Sequence, residues 1–129
     1  MRNFLSVLTL ILSLSIISGC KEKPSLLRVY VRKNDNNLLD KGLYSKVLIS
    51  SDANSTPPTS KFSEAKMTND ASFAEFNLDA FFAIHRATYG DTVRSGYFKV
   101  NVKLDEIEGD TTVRVTYKTT SVQTIYLNN

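Results

Sequence analysis

The sequence predicts an all-β domain, an antiparallel sandwich of six or seven short strands, preceded by one apolar N-terminal helix. Three observations carry this expectation. Apolar residues recur at every second position in residues 27–32 and 97–104, the period of a half-buried strand. Runs of Asn, Asp, Gly and Pro punctuate the chain between such segments, as they do in all-β folds. The alternation leaves one apolar and one polar face, which suits antiparallel sheets, because parallel sheets are covered on both sides.

Taken in order, Leu27, Val29 and Val31 alternate with Arg28, Tyr30 and Arg32. Residues 33–37, Lys-Asn-Asp-Asn-Asn, form a turn, since Asn and Asp bond their own backbone and tolerate unusual φ. Residues 44–50 make a second strand, with Val47 and Ile49 on one face and Leu48 on the other. Residues 51–60 form a polar loop, because Pro57 and Pro58 cannot donate to a ladder. Residues 72–78 make a third strand with Ala74, Phe76 and Leu78 inward; Phe73 points the other way, implying a second apolar contact. Residues 79–87 fit two structures: Asp79 could cap a short helix carrying Phe81, Phe82 and Ile84, or the same residues could extend a buried strand.

After a loop over 88–96, Phe98, Val100, Val102 and Leu104 share one face of a strand, and Tyr97, Lys99, Asn101 and Lys103 share the other. Residues 105–110 turn the chain. Residues 111–118 return with Val113, Val115 and Tyr117 inward, and residues 121–127 form the last strand.

The N-terminal stretch is of another kind. Arg2 is its only charge, and from Phe4 to Ile17 every residue is apolar, Ser or Thr. A positive start followed by an apolar run of about 14 residues has the proportions of a secretory signal, whose apolar region spans roughly 7–15 residues. A membrane-spanning helix needs about 20. The run ends Ile17-Ser18-Gly19-Cys20, which resembles the lipobox of bacterial lipoproteins. That resemblance implies cleavage between Gly19 and Cys20, a diacylglyceryl thioether on Cys20 and an N-acyl chain, palmitate being typical. Residues 1–19 would then be the signal peptide, 20–25 a lipidated tether and 26–129 the sandwich domain. Two or more acyl chains make membrane attachment stable where one does not. Cys20 is the sole cysteine, so no disulfide is available and the domain must be held by its core. Lys21 follows Cys20 where an Asp would resemble an inner-membrane retention signal, so the resemblance implies an outer-membrane location. Cys20-Lys21-Glu22 also loosely resembles a surface-export tether, and Lys23 breaks that pattern.

Two segments of the domain resemble transthyretin-like (prealbumin-like) and carboxypeptidase-regulatory-like modules. Residues 68–78, Thr-Asn-Asp-Ala-Ser-Phe-Ala-Glu-Phe-Asn-Leu, are similar to their Thr-Asp, turn, Ala-x-Phe-x-x-Leu hairpin. Residues 96–102, Gly-Tyr-Phe-Lys-Val-Asn-Val, are similar to the strand that follows it. The expected turn glycine is replaced by Ala71 and Ser72, and residues 79–95 are inserted between the two motifs. An immunoglobulin-like sandwich is the alternative.

The residues offer little catalytic chemistry. His85 is the only histidine, whereas a zinc site or a general base normally has partners. It reads as a solvent-facing or half-buried imidazole beside Arg86. Transthyretin-related hydrolases resemble the domain but use several histidines and a C-terminal Tyr-Arg-Gly-Ser, while this chain ends Tyr126-Leu127-Asn128-Asn129. There is no Gly-x-Ser-x-Gly elbow and no Gly-rich phosphate loop. Asp105, Glu106, Glu108 and Asp110 are weak calcium candidates through oxygen ligands, without EF-hand spacing; Asn34 to Asn37 with Asp40 are similar. Fifteen basic and thirteen acidic residues remain once Arg2 is removed, and they are interspersed, which argues against nucleic acid. Tyr and Arg favour interfaces, so Arg28, Tyr30 and Arg32 on one strand and Tyr97, Lys99 and Lys103 on another are the candidate partner-binding residues. The expectation is a non-enzymatic envelope lipoprotein that binds or assembles with a protein partner and needs no cofactor. A glycan- or calcium-binding surface lipoprotein is the alternative.

Overall fold

The computed structural model describes residues 22–33, 39, 43–56 and 58–128. The expected signal peptide, the processing residues Gly19 and Cys20, and the Asn34–Asn37 turn with Asp40 lie outside the described residues. Among those described are seven strands and one helix: β1 (Leu26–Lys33), β2 (Lys46–Ser51), β3 (Ser63–Met67), β4 (Phe73–Asn77), α1 (Asp79–Tyr89), β5 (Ser95–Leu104), β6 (Ile107–Thr116) and β7 (Thr120–Leu127). They form a mostly-β sandwich of two sheets, one of three strands ordered β4-β1-β7 and one of four ordered β3-β2-β5-β6. All pairings are antiparallel except β1 with β7, which run parallel from Leu26↔Thr120 to Lys33↔Leu127. Alternation reports which face is buried and not the direction of the neighbouring strand, so this pair could not be read from it.

The alternating residues build the core. Leu27, Val29 and Val31 of β1 face Val47, Ile49, Phe98, Val100, Val102, Val113 and Val115 of the other sheet, and all are buried. The strand set gives the molecule two ends. Residue 25, the 51–62 loop, α1 and the 117–119 turn lie at one end, here called the tether end. The starts of β2 and β6, the β3–β4 turn and the close of β7 lie at the other.

Residues 79–89 resolve as helix. Phe81, Phe82 and His85 lie on its buried side, a face that period two would have split. Asp79 does not cap it; Leu78 holds that position without a side-chain cap. Asp79 instead opens the helix, its N–H donating to Asn77 Oδ1 at 2.9 Å and its Oδ1 accepting from Ser25 N–H at 2.8 Å. A carboxylate there complements the helix dipole.

Three differences from the sequence expectation have physical causes. β3 has no apolar alternation: its core-side residues, opposite Val47 and Ile49, are Lys66 and Glu64. Inward charges on a sheet edge deter pairing with other chains, and Lys66 Nζ donates to the Glu75 carbonyl at 2.8 Å on the neighbouring edge, β4. The 105–110 turn is only Asp105 and Glu106, with β6 beginning at Ile107 and Asp105 in the left-handed region at φ 53°. In the β3–β4 turn the missing glycine is replaced by Ser72, which takes φ 59° while Asn69 Oδ1 accepts from Ala71 N–H and Phe73 N–H.

Gly96 sits where β5 passes under α1. A Cβ at that position would meet Phe81 Cε1 at 2.9 Å and Phe98 Cε2 at 3.3 Å. Phe81 cannot yield, because Phe62, Phe82, Phe98 and His85 surround its ring at centroid distances of 4.9–5.7 Å. Gly96→Ala is therefore expected to lower unfolding free energy by about 1–3 kcal/mol, the usual range for overpacking, as read by urea denaturation.

Candidate functional site

The six residues singled out from the sequence do not form one surface. Register places Arg28, Tyr30 and Arg32 on the outer face of the three-stranded sheet, and Tyr97, Lys99 and Lys103 on the outer face of the four-stranded sheet, on opposite sides of the sandwich.

On the three-stranded face, β4 and β7 add residues that the sequence reading did not connect. Glu75 stands opposite Arg28, and Phe73 opposite Tyr30. Arg28 Nη2 and Nε donate to Glu75 Oε2 at 2.8 and 3.0 Å, which raises the guanidinium pKa above its ordinary value. The same guanidinium lies 4.9 Å from the Phe73 ring centre, and Tyr30 packs on Phe73 at 5.1 Å. This is the second contact expected of Phe73. From the parallel side, Val122 flanks Arg28 and Tyr126 flanks Arg32, with Val122 58 % and Tyr126 49 % exposed. The face is thus a contiguous patch of two tyrosines, a phenylalanine, two arginines and a valine.

The four-stranded face has its own cross-strand neighbours. Lys103 stands opposite Glu108, Asn101 opposite Asp110 and Tyr97 opposite Arg114. Asn101 Nδ2 donates to Glu108 Oε1 at 2.6 Å. Asp105 and Glu106 occupy the turn while Glu108 and Asp110 belong to β6, so the four acidic residues are spread along a hairpin. Among the described residues no three or more of His, Cys, Asp and Glu come together as a metal-ligand set.

His85 differs from its expected setting. It is 1 % exposed, not at the surface. Ser60 donates to Nδ1 from its backbone N–H at 3.2 Å, with its Oγ 2.9 Å away, and Nε2 lies 3.2 Å from the Ser95 carbonyl. Those partners require an unprotonated Nδ1 and a proton on Nε2. The ring stacks on Phe81 at 5.0 Å and 19°. The Ser60–His85 separation is within reach for proton transfer, but a backbone carbonyl, not a carboxylate, orients the imidazole. What the arrangement does structurally is tie the 51–62 loop and β5 to α1. A histidine in a helical pattern can signal this only once the helix is known, because Ser60 is 25 residues away.

The expected tether is pinned at its inner end. Ser25 is fully buried. Its N–H donates to Asp79 Oδ1, its carbonyl accepts from Leu78 N–H and its Oγ accepts from Lys118 N–H, each at 2.8 Å. Lys118 Nζ pairs with Glu22 Oε1 at 2.8 Å, which raises the lysine pKa. Glu22, Lys23 and Pro24 line a cleft with Asp79, Ala83, Tyr117 and Lys118. Among the described residues no helix is long and apolar enough to cross a membrane.

No family model matches the chain, no curated protein matches it and no solved structure matches it, so its chemistry is read from its own residues.

Burial holds His85 below its ordinary pKa of 6.5, against the Ser95 carbonyl, which raises it. The unfolded chain therefore takes up a proton that the native state refuses. Stability from this site is complete above about pH 6.5 and declines as pH falls towards the depressed native value. Melting curves taken across roughly pH 8 to 5 should fall on the acid side more steeply for the native protein than for His85→Gln, which lacks that titration. Equal acid slopes would show that another group dominates.

Proposed function

We propose that the chain is a bacterial envelope lipoprotein, held to the outer membrane by lipid on Cys20, whose sandwich is a non-enzymatic binding or assembly module. The lipobox-like Ile17-Ser18-Gly19-Cys20 supports the anchor. The observation that carries the binding role is the outer face of the three-stranded sheet. Aromatic residues and arginine are enriched at the centres of protein interfaces. Here Tyr30, Phe73, Tyr126, Arg28 and Arg32 adjoin each other on three neighbouring strands. The face is preorganised, because Arg28 is already fixed by Glu75 and Phe73, and less side-chain entropy is lost on binding a partner.

Two measurements test this. An alkyne-tagged fatty acid fed to cells should label the wild-type chain and leave Cys20→Ser unlabelled; a label that persists in Cys20→Ser counts against the anchor. In crosslinked envelopes the chain should recover a defined protein partner, and Tyr126→Ala combined with Val122→Glu should reduce that recovery about tenfold or more, since a central aromatic commonly contributes about 2 kcal/mol. Both positions are exposed, so melting behaviour should be unchanged. Equal recovery by the variant would remove this face from the binding role.

A further inference from the structure

A surface helix normally turns charged residues towards water. The outward side of α1 does not. Ala80, Ala83, Ile84 and Ala87 are all exposed, they fall at i, i+3, i+4 and i+7, and Ile84 is 64 % exposed. Asp79 and Arg86 are the only charges in the helix. Asp79 is engaged by Ser25, and Arg86 lies over the Tyr117 ring at 4.1 Å while its Nη1 donates to the Val93 carbonyl.

The position of this apolar stripe says what covers it. α1 begins at the end of the sandwich where the tether enters, and Ala83 shares a cleft with Glu22, Lys23 and Pro24. On the other side of the stripe, Ile84 and Ala80 share a shallow hollow with Lys61 and Phe62. Chain length then fixes the distance to the lipid. Glu22 is the second residue after Cys20 and the buried Ser25 the fifth, so the lipid-bearing residue lies at most about 18 Å from Ser25 and about 7 Å from Glu22. The stripe itself runs only about 10 Å from Ala80 to Ala87. The bilayer surface is thus brought within reach of α1 by the chain itself. Lys23 on one flank and Lys61 on the other place cations at the margins of the apolar stripe, the composition of a helix that lies in a membrane interface. Glu22 is neutralised by Lys118, and Asp91 follows the helix in the loop.

We propose that the exposed face of α1, with Lys23 and Lys61, seats on the headgroup region of the bilayer that holds Cys20. The proposal rests on the lipid anchor. It adds that the sandwich is docked by this end and does not swing on its tether, which leaves the β3–β4 and β5–β6 turns facing away from the membrane.

The test uses the full lipidated chain, with the acyl mass on Cys20 verified, reconstituted in vesicles of phosphatidylethanolamine and phosphatidylglycerol carrying headgroup spin-labelled lipid. A fluorophore is placed at Ile84→Cys, with Ala87→Cys as a second site should the first fail to fold, and at Met67→Cys on the far end. Quenching should be roughly twofold or more stronger at 84 or 87 than at 67, because an interfacial face sits about 5–10 Å into the headgroup boundary. Vesicle-bound chain with equal, weak quenching at both ends overturns the docking while leaving the anchor in place. Self-quenching between labels at 84, without lipid quenching, also overturns it and assigns the face to a second copy. A chain with no acyl mass that does not float with vesicles overturns both readings.

Discussion

The ring of Phe81 is the contact on which the tether end of this fold depends. It lies between Phe62, Phe82, Phe98 and His85, and β5 makes room for it with Gly96. A sandwich has two open ends, and without a disulfide the packing there must be closed by side chains alone. Phe81 and Phe82 close this one from α1. Once they are seated the helix cannot rotate, His85 is carried to Ser60 and Ser95, and Asp79 is carried to Ser25. The position of Ser25 is thereby fixed by an aromatic contact far from it in sequence.

The sheet edges are handled by a different device. β3 and β4 meet at one side of the sandwich, where Lys66 spans from one edge to the carbonyl of Glu75 on the other and lies 5.6 Å from the Phe76 ring. The lysine keeps its charge near water while its stem covers apolar surface, as long cationic side chains do. At the other side β6 and β7 are joined by a tight turn, and Gly109 lets Ile125 approach; a Cβ there would meet Ile125 Cγ2 at 3.0 Å. The β3–β4 side is thereby guarded by charge against pairing with another chain, whereas β6 and β7 end their sheets beside a cleft lined by Glu108, Asp110, Gln123 and Tyr126.

Much of the sandwich was legible because alternation is a direct record of one-sided burial. β1 and β5 announce themselves through Val29 and Val100 and their period-two neighbours. β3 does not, because its core-side positions are charged for the sake of the edge. The helix could not be separated from a strand because Phe81 and Phe82 are adjacent, and adjacency fits either period. The acidic run from Asp105 to Asp110 looked like one loop, but its last four residues, Glu108 and Asp110 among them, already belong to a strand, so its carboxylates are spread along a hairpin. The candidate partner residues were read strand by strand. Which strands adjoin is a long-range property, and only the parallel pairing of β1 with β7 brings Val122 and Tyr126 beside Arg28 and Arg32. His85 was misplaced for the same reason, since its partners come from residues 60 and 95.

These features set where a partner would meet the protein. β1 leaves the tether end at Leu26 and rises about 3.3 Å per residue, so Arg32 and Tyr126 lie roughly 20 Å further along the sandwich. The aromatic-arginine patch begins close to the tether end, at Glu75, Arg28 and Val122, and extends to the far end. With α1 seated on lipid, the patch would stand beside the membrane, approached from the side, with its upper half clear of the headgroups. Lipid and partner would then use different surfaces and could be bound together. A domain swinging freely on five residues would present that patch in every orientation, and each partner would have to supply the energy of ordering it. Docking through α1 removes that cost before the partner arrives.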